Sequence, residues 1–114
     1  MKKPLLTLLL VASVITATAQ PYAIGNTTRA WYDGARMRDV PAELHYPAMA
    51  AGDDQAMATG TFPVLVLGHG FVMTVDAYDY VWQHFVPLGY IVVLPTTEGG
   101  FAPSHTDFGE DLAF

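Results

Sequence analysis

Mixed polar and apolar positions early in the chain predict a pair of β-strands. Residues 28–33 (TRAWYD) and residues 40–46 (VPAELHY) each combine bulky apolar side chains with polar ones. The Asp33-Gly34 pair between them is a common turn signal. We therefore predict an antiparallel hairpin. Residues 48–61 (AMAAGDDQAMATGT) lack strand-forming bulk and predict a surface loop.

Two continuous apolar runs predict buried strands of a different kind. Residues 62–67 (FPVLVL) and residues 90–94 (YIVVL) are typical of strands covered on both faces within a parallel sheet. Between them, a helix is predicted from Thr74, a possible cap, to Pro87 and Gly89, which end it. Its apolar face is formed by Tyr78, Val81, Trp82 and Phe85.

This order of strand, helix and strand predicts a βαβ unit with parallel strands and a right-handed crossover. A loop over residues 96–104 follows, and residues 105–114 (HTDFGEDLAF) begin another helix with acidic residues favourably placed near its N-terminus, namely Asp107, Glu110 and Asp111. The predicted fold class is α/β. Because so few elements would leave a long apolar sheet edge, we expect these residues to belong to a larger domain.

The first 19 residues have the pattern of a signal peptide. Lys2 and Lys3 precede an apolar run of about 13 residues, which is shorter than the roughly 20 that span a bilayer as a helix. Small residues at Ala17 and Ala19 then predict cleavage before Gln20. An uncleaved membrane anchor is the alternative. We expect an exported protein, periplasmic or secreted, without a stable membrane anchor, with residues 20–114 forming part of one domain.

Composition excludes several classes of function. The formal net charge is −6, and after the first 19 residues only three arginines (Arg29, Arg36 and Arg38) stand against 11 acidic residues. Such a surface repels phosphate backbones, so no nucleic-acid partner is expected. The chain has no cysteine, which rules out disulfides, thiolate catalysis and cysteine-ligated metals within it.

The segment FPVLVLGHGFVMTVDAYDYVWQHFVPLGYIVVLP, residues 62–95, resembles the α/β-hydrolase superfamily. Within it, the segment is similar to the branch of chlorophyllases, dienelactone-hydrolase-like proteins and cutinase-type polyester hydrolases. Residues 33–48 (DGARMRDVPAELHYPA) also resemble the N-terminal hairpin of this branch. The resemblance implies the N-terminal part of an α/β-hydrolase sheet: an antiparallel hairpin followed by a parallel βαβ unit, incomplete as it stands.

The resemblance also implies a role for the loop after the first parallel strand. Ligands of α/β sheets bind beyond the carboxyl ends of the strands, where Gly68, His69, Gly70 and Phe71 are predicted to lie. By resemblance, the N–H of Phe71 is one donor of an oxyanion hole, and its ring forms a wall of the cleft. Gly68, His69 and Gly70 support the loop. A tight turn with a buried Phe71 is the alternative.

The nucleophile of this superfamily, the serine of G-x-S-x-G, is not recognisable in the chain. Ser104 is the one serine after residue 19, and it has neither flanking glycines nor a preceding apolar strand. It is interpreted as a loop or helix-cap residue. The resemblance implies that the Ser-Asp-His triad lies beyond Phe114, so that no catalytic residue lies in this chain and none of its histidines is the catalytic base.

Other polar residues have less specific interpretations. His69 is expected to orient its loop, and His45 and His84 to be ordinary partly buried residues. A metal site of His69, His84 and His105 has no supporting spacing, and neither a metal nor a cofactor is expected. Asp53 and Asp54 are expected to be solvated rather than to bind Ca²⁺. Thr96 and Glu98 follow the second parallel strand, and we predict that they can line the substrate cleft.

These features predict the N-terminal part of an exported serine hydrolase acting on a small-molecule or polymeric carboxylic ester, inactive as the 114-residue chain alone. Two alternatives remain open. One is a non-catalytic binding or scaffold protein of the same fold, since fold does not fix function. The other is a complete small exported protein without enzyme activity. The oligomeric state is open.

Overall fold

The computed structural model describes residues 20–114, so the signal-peptide prediction lies outside the described residues. This part of the chain forms a five-stranded mixed sheet with two α-helices. The strands are β1 (Ala23–Asp33), β2 (Arg38–Ala48), β3 (Gly52–Asp53), β4 (Val64–Val66) and β5 (Ile91–Pro95), and the helices are α1 (Asp79–Phe85) and α2 (His105–Ala113). The described residues include no helix with the length and apolarity needed to cross a membrane.

The predicted hairpin is confirmed and is longer than the sequence pattern indicated. β1 and β2 pair antiparallel over their full lengths, from Ala23 opposite Ala48 to Asp33 opposite Arg38. The first residues of β1, Ala23 to Thr27, show no regular alternation of bulky apolar and polar side chains, so their strand character comes from pairing with β2. At the turn, the carboxylate of Asp33 accepts hydrogen bonds from the backbone N–H of Ala35 and Arg36, at 2.9 and 3.3 Å.

The predicted surface loop over residues 48–61 is partly ordered by the sheet, which corrects the sequence prediction. β3 lies within it and pairs in parallel with β1. The side chains of Asp53 and Asp54 accept hydrogen bonds from Asn26 and Thr27. These two carboxylates are therefore exposed but hydrogen-bonded to β1.

The predicted βαβ unit is confirmed, since β4 and β5 are parallel neighbours in the strand order β3-β1-β2-β5-β4. Its helical segment is less regular than predicted. A 3-10 turn (Val75–Tyr78) precedes α1 and another (Val86–Leu88) follows it. Thr74 makes no side-chain capping bond. Gly89, at φ 93°, ends the segment as predicted.

The helices lie on opposite faces of the sheet. Side chains of β5 alternate, so that Val92 and Leu94 face α1 while Val93 faces α2. The buried core on the α1 face consists of Val75, Trp82, Val86, Val92 and Leu94.

The strand β4 corrects the expectation of a strand covered on both faces. It lies at the edge of the sheet, and Val64 and Val66 are 54% and 48% exposed. β4 is also shorter than the apolar run, although Leu67 N–H still bonds to the carbonyl of Val93 at 2.9 Å. The described residues therefore leave the apolar edge that the sequence predicted.

Candidate functional site

The loop after β4 contains a tight turn at the carboxyl end of the parallel strands. The backbone N–H of Met73 bonds to the carbonyl of Gly70 at 3.1 Å, which makes Phe71 and Val72 the central residues of the turn. Val72 has φ 54°, a conformation that favours glycine and is strained for a β-branched side chain. Strain of this kind is often found at functional sites.

The two glycines of the loop lie against closely packed side chains. A Cβ atom on Gly68 would lie 3.0 Å from Leu112 and 3.3 Å from Phe108, both on α2. A Cβ on Gly70 would lie 3.0 Å from the sulfur of Met73 and 3.1 Å from the hydroxyl of Tyr78. Neither glycine has a positive φ. Their small size therefore allows α2 and Tyr78 to approach the loop backbone.

The N–H groups of Gly70 and Phe71 have different surroundings. Gly70 N–H donates to the hydroxyl of Tyr78 at 2.7 Å. The N–H of Phe71 has no acceptor among residues 20–114. The Phe71 side chain is 63% exposed, in contrast to the alternative of a buried phenylalanine. Tyr78 thus occupies one donor of the loop and leaves the next one free.

His69 is buried and joins the loops that follow β4 and β5. Its Nε2 lies 2.7 Å from the carbonyl oxygen of Thr97. Both ring nitrogens face carbonyl oxygens, which only accept, and we assign the proton to Nε2 because its contact is the shorter one. Nδ1 lies 3.0 Å from the carbonyl oxygen of Gly70, and the ring packs against Phe108. The role of His69 in orienting its loop stays a prediction.

The loop after β5 holds the two other predicted cleft residues. Thr96 donates its backbone N–H to the carbonyl of Pro41 at 2.9 Å. Glu98 has φ 60°, so this loop also contains a strained residue. The Glu98 carboxylate accepts from Arg38 at 2.7 Å and from the backbone N–H of Ser104 at 2.6 Å. A role for Thr96 and Glu98 in binding substrate stays a prediction.

The arginines of the hairpin form a cluster with acidic residues brought together from distant parts of the chain. We call it the arginine cluster; it consists of Asp33, Arg36, Arg38, Glu98 and Asp111. Asp111 is its centre, with a side chain that is 0% exposed. Arg38 contacts both Asp111 oxygens, with a shortest distance of 2.7 Å, and Arg36 contacts Oδ1 at 2.8 Å.

The cluster holds its carboxylates in the charged form. Burial raises the pKa of Asp111, but hydrogen bonds from Arg38, Thr97 and Arg36 outweigh it, so that its pKa is lowered. The backbone N–H of Ser104 and the guanidinium of Arg38 lower the pKa of Glu98. The sequence prediction placed Asp111 near the helix N-terminus as a dipole partner; its observed role is this buried ion pair.

The remaining polar residues have structural contacts. Ser104 is the N-cap of α2, and its hydroxyl accepts from the backbone N–H of Asp107 at 3.2 Å, which confirms the cap interpretation. His84 lies on α1, and His105 begins α2. His45 is buried more fully than predicted, at 5% exposure, because it stacks on Trp82. Residues 20–114 contain no group of three or more His, Asp or Glu side chains arranged to hold a metal ion.

An open, mainly apolar groove of about 290 Å³ lies on the α2 face of the sheet. Its lining includes Val66, Val93 and Leu112. The predicted cleft residues Phe71 and Glu98 do not line it. The groove is therefore distinct from the turn that presents the Phe71 N–H.

Sequence reasoning missed the roles of Tyr78, Thr97 and Asp111 around this loop. The sequence predicted Tyr78 only as part of the apolar face of the helix. The contact of its hydroxyl with the backbone of Gly70, eight residues earlier, has no sequence signal. Asp111 did carry one. It lies three residues after Phe108 and beside Leu112, so it falls on the apolar face of α2. A carboxylate on an apolar face indicates a buried cationic partner. Arg36 and Arg38 are two of the three arginines after residue 19 that could provide it.

Known proteins resemble this chain in fold and in family. No curated protein matches the chain. Among solved structures, the chain is similar to a ferulic acid esterase from Streptomyces cinnamoneus, with a TM-score of 0.60 and 18% sequence identity over 71% of this chain. The chain spans 35% of the length of that esterase, and the likeness is one of fold. The chlorophyllase family model matches residues 51–108, just over half of the 114 residues. The chain belongs to the chlorophyllase family.

Proposed function

We propose that this chain is the N-terminal part of an exported serine hydrolase that acts on carboxylic esters. The observation that carries the proposal is the free N–H of Phe71 in a strained turn at the carboxyl ends of β4 and β5. An ester carbonyl gains negative charge on its oxygen as the tetrahedral intermediate forms. A fixed N–H donor at that oxygen stabilises the transition state more than the ground state.

The proposal assigns the nucleophile to a part of the protein outside these 114 residues. Ser104 is the only serine after residue 19, and its hydroxyl and backbone N–H are both engaged at the start of α2. The similarity to only 35% of the Streptomyces esterase is consistent with further catalytic elements elsewhere. In the complete enzyme, a serine activated by a histidine attacks the carbonyl carbon, and the N–H of Phe71 binds the resulting oxyanion.

The substrate class follows from the surroundings of the turn. The exposed Phe71 ring and the nearby Met73 offer apolar contact, and Met73 is 41% exposed. Within the described residues the cationic side chains of Arg36 and Arg38 are neutralised by carboxylates, so they offer little attraction to an anionic substrate. Neutral acyl, aryl or polymeric esters therefore suit this site better than charged ones.

Phe71→Pro is a direct test, because proline removes the N–H while fitting the first central position of a turn. The protein from the complete reading frame is assayed with p-nitrophenyl butyrate. We expect Phe71→Pro to lower kcat by about 100-fold or more. The matched control Phe71→Ala removes the ring but keeps the N–H, and we expect it to lose less than about tenfold.

Two outcomes would contradict the proposal. Full activity in a folded Phe71→Pro protein would exclude the Phe71 N–H as an oxyanion donor. A complete protein that folds but hydrolyses no ester would favour the alternative of a non-catalytic binding or scaffold protein. The 114-residue chain alone is expected to be inactive, and hydrolysis that survives Ser104→Ala in it would show that the nucleophile had been misassigned.

Export is a separate part of the proposal. It is supported by the two lysines, the short apolar run and the small residues at Ala17 and Ala19. N-terminal sequencing of the secreted or periplasmic protein is expected to find Gln20 as the first residue. Retention of Met1 in a membrane fraction would favour the uncleaved anchor instead.

A further inference from the structure

The loops after β4 and β5 are joined through a single line of hydrogen bonds that continues into the arginine cluster. His69 Nε2 donates to the carbonyl of Thr97 at 2.7 Å, and the Thr97 hydroxyl donates to Oδ2 of Asp111 at 2.5 Å. Thr97 is thus bound at both its backbone and its side chain. The arrangement connects the turn at Phe71 to the buried carboxylate of Asp111, which pairs with Arg38, 73 positions earlier in the sequence.

The contact between Thr97 and Asp111 is not needed to neutralise the buried carboxylate. Asp111 already has two guanidinium partners, Arg36 and Arg38. The hydroxyl of Thr97 takes one of the remaining acceptor positions on the carboxylate. Besides lowering the pKa of Asp111, the contact has a geometric consequence, because it fixes the side chain of the residue whose carbonyl holds His69.

Glu98, the residue after Thr97, is fixed by Arg38, which also binds Asp111. Arg38 Nη2 contacts both Asp111 Oδ2 and Glu98 Oε1, each at 2.7 Å. Glu98 has the strained φ of 60°, a conformation that persists only where surrounding contacts enforce it. One guanidinium therefore holds two consecutive residues of the loop, Thr97 through Asp111 and Glu98 directly.

We propose that Asp111 is a positioning residue for ester hydrolysis: it fixes Thr97, and the Thr97 carbonyl holds His69 so that the following turn presents the N–H of Phe71. This inference rests on the proposed function, because it concerns the same N–H. Asp111 does not contact the reacting atoms. Its effect is transmitted through Thr97 and His69 to Gly70 and Phe71.

Thr97→Val is the decisive variant because it removes the hydroxyl while keeping a branched side chain of similar shape. Thr97→Ser restores the hydroxyl. Asp111→Asn is less decisive, since it disturbs two arginine pairs and lowers stability for that reason alone. The matched control is Glu110→Gln, which removes a partly exposed carboxylate 3.4 Å from Arg36 and leaves the Asp111–Thr97 contact intact.

Two measurements are made on the protein from the complete reading frame. The first is kcat and KM for p-nitrophenyl butyrate. We expect Thr97→Val to lower kcat by about tenfold with KM little changed, because a displaced oxyanion donor affects mainly the transition state. Thr97→Ser is expected to recover most of the loss, and Glu110→Gln to retain the wild-type kcat.

The second measurement is the NMR signal of the His69 Nε2 proton, which does not depend on catalysis. We expect its signal to shift and its exchange with water to accelerate in Thr97→Val, but not in Thr97→Ser or Glu110→Gln. An unchanged signal in folded Thr97→Val would overturn the proposal, as would equal losses of kcat in Thr97→Val and Glu110→Gln. If the complete wild-type protein hydrolyses no ester, the proposed function fails, and with it the positioning role of Asp111 in catalysis. The NMR signal then tests separately whether the hydrogen bonds from Asp111 through Thr97 to His69 exist.

Discussion

The hydroxyl oxygen of Tyr78 lies 2.7 Å from the backbone nitrogen of Gly70 and accepts its hydrogen bond. Tyr78 belongs to the 3-10 turn that precedes α1, so the crossover segment itself contacts the loop after β4. The contact leaves the N–H of Phe71 as the next free donor along the chain. The Tyr78 side chain, part of the apolar face of the helical segment, thereby decides which backbone donor the loop can offer to a ligand.

Replacing Tyr78 with phenylalanine tests this arrangement. The variant removes the acceptor of Gly70 N–H, and we expect the free energy of unfolding to fall by about 1 kcal/mol. Amide hydrogen exchange of Gly70 is expected to accelerate. Tyr80→Phe is the matched control, because Tyr80 is 64% exposed and close by in sequence. Equal exchange rates of the Gly70 amide in the two variants would contradict the role assigned to Tyr78.

Two glycine substitutions separate close packing from helix propensity. Gly68→Ala places a Cβ 3.0 Å from Leu112, and we expect a loss of about 1–3 kcal/mol in unfolding free energy. Gly109 lies within α2, and a Cβ there meets nothing within 4 Å. Gly109→Ala is therefore expected to gain up to about 1 kcal/mol. Chemical denaturation measures both, and a stabilising Gly68→Ala would show that α2 does not pack on the loop as described.

The sequence was sufficient for the parts of the fold that depend on local periodicity. The apolar runs around β4 and β5 predicted a parallel pair, and Ser104 was correctly interpreted as a cap because capping depends on residues close in sequence. The first residues of β1, by contrast, become a strand through pairing with β2. Ile24 is their one bulky apolar side chain, which gives no period-two signal, so they could not be predicted locally.

The position of the candidate-site loop was predictable from the sequence, but the contacts that hold it were not. Its place after β4 follows from the apolar run that ends at Gly68. The close packing at Gly68 has no local signal, because it depends on Leu112 of α2, which would lie 3.0 Å from a Cβ at this position. The contact of Asp111 with Arg38 joins residues 73 positions apart. Such pairing depends on the tertiary arrangement, which a single sequence does not specify.

Replacing Arg38 with methionine tests the arginine cluster as a stabilising unit. Asp111 would stay buried with one guanidinium fewer, and we expect the free energy of unfolding to fall clearly, by more than for the loss of an exposed arginine. Arg29→Met is the control, since the Arg29 side chain is exposed and its one recorded contact among the described residues is a 3.5 Å contact with a backbone carbonyl. Its effect is expected to stay within about 0.5 kcal/mol. Similar losses in the two variants, measured by chemical denaturation, would mean that Asp111 does not depend on Arg38.

The stack of His45 on Trp82 makes stability depend on pH near neutrality. The two rings are 4.0 Å apart and nearly parallel, and His45 Nε2 lies 2.7 Å from the carboxylate of Glu43. Burial lowers the pKa of His45, although Glu43 acts in the opposite direction. The folded protein therefore keeps this ring neutral at pH values where the unfolded chain binds a proton.

The sign of the effect follows from this difference in bound protons. As pH falls through about 6.5, the ordinary histidine value, the unfolded state gains a proton that the folded state does not, so stability decreases until the lowered pKa is reached. We expect His45→Gln to remove this part of the loss between pH 7 and pH 5. The contribution of His45 to the slope of the unfolding free energy against pH cannot exceed about 1.4 kcal/mol per pH unit. The carboxylates of Asp33, Glu98 and Asp111 also have lowered pKa values, and their contribution is lost progressively as pH falls below about 5. Because wild type and His45→Gln share these carboxylates, the difference between their denaturation midpoints across pH 5–7 isolates the histidine. Identical slopes for the two proteins would contradict a lowered pKa.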